Sequence, residues 1–377
     1  MTHDPATIYL DNNATTRPDP GVLARVAEVS AAAWGNPGSS HRIGRRARQE
    51  LESAREQIAD CLDADPGDVI FTSGATESCN LAVRGLARQP GRVASIPGDH
   101  PASGEPVAEL LSRGWSQRTL PLTTDGELAP LDDIDWSDVR LLTLPLAHNE
   151  TGVVFDADAC GRIARTYRIA WHLDATQAVG RVPVSVRKLG CSALSLSGHK
   201  LHGPRGIGAV IAGRNVNLRP QQLGGHQEAG RRAGTEAVAL AAGLAEAVRI
   251  AVQTQAERTE TMRTLRDDFE RRLRDAIPGV AINAAAACRL PNTSSVRMPR
   301  GDGEAMLVAL DLAGIHCSLG SACASGSPEP APVLLAMGLT PDEARRSLRF
   351  SLSHDTTADE LTRTVALLRS LAERAST

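Results

Sequence analysis

Ser195-Leu196-Ser197-Gly198-His199-Lys200 ends an apolar run and then presents a hydroxyl, a glycine, an imidazole and an amine in succession. The run Ala193–Leu196 reads as the end of a buried strand, and Gly203-Pro204-Arg205-Gly206 turns the backbone soon after. A lysine presented in this way is suited to Schiff-base chemistry with a carbonyl cofactor. Taken alone, the same stretch is also a surface turn with a solvated lysine. A second stretch shifts the balance. His172-Leu173-Asp174-Ala175-Thr176-Gln177 follows Tyr167–Trp171 and reads as a strand ending in an acid. An Asp at one strand end and a Lys at the next fit neighbouring strands of a parallel sheet, where ligands collect at the carboxyl ends.

Pyridoxal phosphate requires such a lysine, an acid at its pyridine nitrogen and a cradle for its phosphate. The acid matters because a protonated ring nitrogen makes the ring an electron sink. For the cradle, the strand Asp68–Phe71 is followed by Thr72-Ser73-Gly74-Ala75-Thr76-Glu77-Ser78, which opens a helix through Leu86. Free amides and the helix dipole at that point attract an anion, and Thr76 adds a hydroxyl. The same residues also make an ordinary helix cap. His100 stands between the strand Val93–Ile96 and a proline suited to a first helical turn, on the same edge as Thr76. Asn149 lies in the turn after the strand Arg140–Leu144.

Two further loops carry reactive groups. Gly224–Thr235 is glycine-rich and basic, either a flexible surface loop or a phosphate-reaching one offered to a partner subunit. Gly320-Ser321-Ala322-Cys323-Ala324-Ser325 has little to pack, and a cysteine there is unusual because cysteines favour burial. A free thiol has a pKa of about 8.5, so a nucleophilic Cys323 needs a basic neighbour such as His100 or the Lys200 amine. Cys317 reads as structural. Arg349 begins a strand-like stretch, Arg349–Ser353, and arginine binds carboxylates through a bidentate fork.

The elements that must position these groups alternate strand and helix, which indicates an α/β fold with a mainly parallel sheet. Pro18–Ala33, Arg42–Leu62 and Ala157–Thr166 read as helices, and Ile207–Ala212 as a strand. Glu236–Ile277 reads as one long helix bridging two domains. Beyond it, strand signals at Val280–Ile282 and Thr293–Val296 and helices at Glu304–Ala313 and Ala358–Arg374 fit a smaller α+β domain. The expected division is a large domain over 14–255 and a small one made of 1–13 and 256–377. The chain has 377 residues and a net charge of −3 with the signs mixed, so nucleic acid is not an implied partner. Its most apolar helical stretch, Ala237–Val252, contains Glu246 and Arg249, so no membrane span is expected. Seven cysteines, odd in number and without a C-x-x-C pair, point to a reducing, cytoplasmic setting and to no zinc site.

In chain order, T-S-G-A-T-E-S, H-N-E-T-G, H-L-D-A-T-Q, S-L-S-G-H-K, G-R-R-A-G-T, G-S-A-C-A-S and R-F-S-L resemble the cysteine desulfurases, fold-type I PLP-dependent enzymes of class V. The resemblance runs from Tyr9 to Arg349, and the cysteine motif looks like the long-loop branch. It implies that Lys200 carries the cofactor and moves protons, that Asp174 meets the pyridine nitrogen, and that Gln177 meets the ring oxygen. His100 would stack on the ring and take part in proton transfer. Ala75, Thr76, Ser197 and His199 would hold the phosphate, with Thr235 reaching in from the other subunit of a homodimer. Asn149 would lie near both the ring oxygen and the substrate carboxylate, and Arg349 and Asn13 would face the same substrate, L-cysteine. Cys323 would take its sulfur as a persulfide, leave L-alanine, and pass the sulfur to an acceptor protein for iron–sulfur cluster assembly or thiolation. A selenocysteine lyase or an aminotransferase of the same class is the alternative. Two departures stand out: Pro101-Ala102-Ser103-Gly104 replaces a more helix-forming stretch after His100, and His148 replaces an asparagine before Asn149.

Overall fold

Seven short strands form the central sheet of the computed structural model, which describes residues 7–319 and 329–375. Their order across the sheet is Val69–Thr72, Gly208–Ile211, Ala193–Ser197, Ala170–Asp174, Val139–Pro145, Arg92–Ser95 and Ser116–Thr119. Gly208–Ile211 pairs antiparallel with both neighbours; every other pairing is parallel. The four inner strands bearing the motifs are buried along almost their whole length. Polar side chains within them are buried as well, as in strands covered on both faces: His172 Nε2 and Ser195 Oγ, on neighbouring strands, are hydrogen-bonded at 2.9 Å. Asp174 is in register with Ser195, so the acid and Lys200 leave adjacent strands at the same edge.

Helices cover the sheet through recognisable stripes. In Arg42–Leu62, Ala47, Leu51, Ala54, Ile58 and Leu62 fall on one face, and all are buried. The His41 ring accepts from Gly44 N–H at its start, and Asp63 ends it in a left-handed conformation at φ 52°. Pro101–Ser112 is helical despite its Pro-Ala-Ser-Gly opening. Proline lacks only a donor that the first turn leaves unpaired anyway, and His100 caps that turn.

A second, four-stranded antiparallel sheet orders Ser318–Leu319, Ser347–Ser351, Thr293–Arg297 and Ala281–Asn283. Ile8–Tyr9 pairs in parallel with Ile315–His316. Ile8, Leu10, Phe269, Leu273, Val296, Leu348, Phe350 and Leu368 share one apolar cluster, so the N-terminal segment packs with C-terminal elements.

Four expectations from sequence change. The long helix is two, Val238–Gln253 and Gln255–Ala276, broken at Thr254, whose hydroxyl donates to Ile250 O at 2.7 Å. The strand into Asp174 begins at Ala170, because the preceding helix runs to Tyr167 and Arg168 closes it at φ 55°. Arg349 sits mid-strand rather than at a strand start. The glycine-rich loop is pinned by its charges. Glu228, 6% exposed, accepts from Arg55 Nη1 at 2.8 Å; Arg231 donates to Gly67 O at 2.7 Å, and Arg232 to Glu77 Oε1 at 2.7 Å.

Gly208 fixes how closely the sheet approaches the turn at Gly74. A Cβ at 208 would lie 2.6 Å from Leu196 O and 2.8 Å from Gly74 Cα, both backbone atoms that cannot rotate away. Gly208→Ala is expected to cost about 1–3 kcal/mol, read as a lower urea midpoint at unchanged slope.

Candidate active site

The carboxyl ends of the strands converge on a cavity of about 680 Å³. Lys200, Asp174, Gln177, His100 and Asn149 line it. So do Ala75, Thr76, Ser197 and His199 at one end. The sheet register forces this meeting, since each residue stands at or just past a strand terminus on one edge.

Lys200 follows Ser197 through a single 3₁₀ turn, Gly198–Lys200. Its Nζ donates to Ala14 O at 2.7 Å and to Asn13 O. Burial, with Arg349 and Arg181 nearby, pushes the amine down to about 8. The neutral amine is the nucleophile toward an aldehyde. The rate at which apoprotein captures pyridoxal phosphate should therefore rise with pH through about 8 and level off above it, followed as growth of the visible band. A midpoint near that of an ordinary lysine, about 10.4, would contradict this environment.

Asp174 is buried, and its Oδ1 accepts from Thr176 N at 2.9 Å. Gln177 Nε2 donates to Asn13 O at 2.9 Å, and its Oε1 accepts from Arg181. The His100 ring accepts from Ala102 N at Nδ1, 3.0 Å away, so the neutral ring carries its proton on Nε2. Burial lowers its pKa, against the pull of Asp174. His199 is hydrogen-bonded to Thr15 Oγ1 at 3.2 Å and is pushed down to about 4, chiefly by burial and then by Lys200.

Three of the remaining expected residues do not line the cavity. Arg349 sits behind the rim, donating through Nη1 to Glu150 Oε1 at 2.7 Å and through Nη2 to Asp11 Oδ1 at 2.9 Å. Asn13 is buried and turned from the cavity; its Nδ2 donates to Asn149 O and Thr293 Oγ1, and its carbonyl oxygen meets Lys200. Thr235 is exposed and does not line the cavity of its own chain. Cys323 lies outside the described residues.

The residues present fit pyridoxal phosphate. Ser197 Oγ and Thr176 Oγ1 are buried polar atoms without partners on the cavity wall. Such atoms are costly unless something supplies a hydrogen bond. Beside them the helix Ala75–Leu86 begins, and its first amides have no acceptor within the helix. Gly74, at φ +152°, adopts a backbone conformation that side-chain-bearing residues rarely take, so the turn stays open above Ser197.

The family model described as aminotransferase class-V matches residues 8–364. A cysteine desulfurase of a Nostoc species is 38% identical over 375 residues, covering 98% of this chain and 94% of the relative. The chain belongs to the cysteine desulfurase family. The solved structure of a NifS-like protein superposes with a TM-score of 0.91 at 31% identity, covering 98% of this chain and all of that one. SspA, solved in complex with cysteine, superposes with a TM-score of 0.80 at 30% identity, covering 93% of this chain and all of that one. The fold is therefore that of the fold-type I PLP enzymes, the class to which this family belongs.

The two departures from the desulfurase pattern resolve differently. The helix after His100 forms, with Pro101 in its first turn. His148 does not reach the cavity. It is 1% exposed, accepts from Glu150 N at Nδ1 and donates from Nε2 to Gly98 O at 3.0 Å, which ties the two turns carrying His100 and Asn149 together. Sequence reading passed over Glu77, although it stood inside T-S-G-A-T-E-S. Glu77 lines the cavity beside Ala75 and Thr76, accepts from Ser73 N at 2.6 Å and binds Arg232. Arg205 and Thr176 also line the cavity; nothing in their local sequence distinguishes them from turn residues.

Proposed function

We propose that this chain removes sulfur from L-cysteine, releases L-alanine, and carries the sulfur on Cys323 to an acceptor protein. The observation that carries the reading is the Lys200 amine and the Asp174 carboxylate at adjacent strand ends, facing one cavity edged by a helix N-terminus. When bound, pyridoxal phosphate supplies an electron sink for a substrate carbanion. Asp174 would keep a proton on the ring nitrogen, Gln177 would meet the ring oxygen, and His100 would lie against the ring face. Ala75 N–H, Thr76, Ser197 and His199 would hold the phosphate, joined by Thr235 from a second copy of the chain.

Lys200, lowered to about 8, can take a proton from the substrate α-carbon and return one to the product. Asn149 and Arg349 would orient the substrate carboxylate, with Asn13 fixing Asn149 from behind. The Cys323 thiolate attacks the substrate sulfur; the carbon–sulfur bond breaks with its electron pair going to carbon, which takes up a proton and leaves as alanine. The product on the protein is a persulfide. The acceptor would belong to iron–sulfur cluster assembly or thiolation, in a reducing cytoplasmic setting that the unpaired described cysteines accord with. The same reading gives 14–255 to the cofactor domain, and 1–13 with 256–377 to the smaller one.

The test is product analysis on L-cysteine with a reductant present. Alanine and sulfide should appear in equal amounts. A keto acid in place of alanine would indicate an aminotransferase and overturn the reading.

A further inference from the structure

Arg349 does not wait with an open fork. Both of its terminal nitrogens are engaged, Nη1 by Glu150 and Nη2 by Asp11, while its Nε and Glu150 Oε2 have no partner. In the proposed desulfurase Arg349 binds the substrate carboxylate, and the inference rests on that role. The one Arg349 nitrogen without a partner, Nε, is buried, so a substrate carboxylate gripped by the two terminal nitrogens displaces one of the two carboxylates already there.

The two are not equivalent. Glu150 Oε1 also accepts from Asn149 Nδ2 at 2.7 Å, and burial raises the Glu150 pKa, so water offers it little when it is released. Asp11 is the more accessible, 18% exposed against 10% for Glu150 by side chain. Asp11 also has another partner in place: the oxygen that receives Arg349 Nη2–H receives Ser318 Oγ–H at 2.8 Å. Ser318 is the direct cross-strand partner of Arg349, so both side chains stand on one face of the small sheet.

We propose that Asp11 is a positioning residue that trades Arg349 for an incoming amino acid carboxylate and, on doing so, binds Ser318 more firmly. A carboxylate oxygen shared between a guanidinium and a hydroxyl is a weaker acceptor for each. Relieved of the cation, it accepts more strongly from the hydroxyl. Filling the arginine is thereby transmitted to the strand Ser318–Leu319, a few positions before Cys323 in the chain. Coupling of this kind is reciprocal: the Ser318 bond must also favour occupancy of Arg349.

The test uses holoenzyme and L-alanine, with binding followed by the cofactor's absorbance and backbone amide exchange followed over residues 315–319. Arg349→Gln checks the carboxylate-binding role; if it leaves L-alanine affinity unchanged, that role fails by itself. If it weakens affinity, the proposal stands on two further variants. Asp11→Asn removes the competing charge and should tighten L-alanine about fivefold, the reach of one part-exposed ion pair, while ethylamine, which lacks a carboxylate, binds as before. Damage to the site would loosen both ligands instead. In the wild type L-alanine should slow exchange at 315–319. Ser318→Ala, which leaves the Asp11–Arg349 pair intact, should abolish that slowing and weaken L-alanine about two- to threefold. Unchanged or looser L-alanine binding in Asp11→Asn overturns the exchange of partners. Slowing that is absent in the wild type, or that survives in Ser318→Ala, overturns the transmission.

Discussion

Lys200→Ala is expected to abolish the visible band of lysine-bound pyridoxal phosphate and to slow alanine formation from L-cysteine by about a thousandfold or more. The amine would have two tasks, holding the cofactor and moving the proton, and no neighbour can take over both. His100 lines the cavity, but burial lowers its pKa and its Nδ1 is held by Ala102 N–H. Arg181, with its pKa pushed down to about 10 by burial and by Arg349, remains a cation at neutral pH and points its donors at Gln177. The protein should remain folded, because the amine contributes only hydrogen bonds to the Asn13 and Ala14 carbonyls. Absorbance spectra and alanine assays on purified variant check both parts. A retained band would mean that the cofactor is not attached at position 200.

Cys323→Ala should separate cofactor chemistry from sulfur transfer. The cavity, Lys200 and Asp174 stay as they are, so the variant should hold pyridoxal phosphate and change colour on adding L-cysteine. Alanine release should fall by about a hundredfold or more, since the carbon–sulfur bond breaks only when a nucleophile takes the sulfur, a contribution of about 3 kcal/mol to the barrier. No persulfide should form on the protein. Full-rate alanine release from this variant would show that the thiol takes no part in the reaction.

The residues also show where reading a sequence stops. Asp174 and Lys200 were legible because each stands at or just past the end of a strand rich in apolar residues, and parallel neighbours bring strand ends to one edge. The polar strand Ser116–Thr119 left no such trace, for it lies at the sheet edge with most of its side chains exposed. Thr254 could not be picked out as the break in a long helical stretch, since Thr261 makes the same side-chain bond to the carbonyl four residues back and stays helical. Glu77 resembled any acid in a first helical turn until Arg232, far along the chain, was brought against it.

Sequence alone determined the α/β class, the lysine–aspartate pair and the family, because local periodicity and short motifs encode strand ends and the turns after them. Only the tertiary structure decided how the groups are paired. It turned Asn13 away from the cavity, sank His148 beneath two turns and set Arg349 between Asp11 and Glu150. Those pairings join residues far apart in the chain, and a charge or hydrogen bond carries no mark in the sequence of the partner that folding will bring to it.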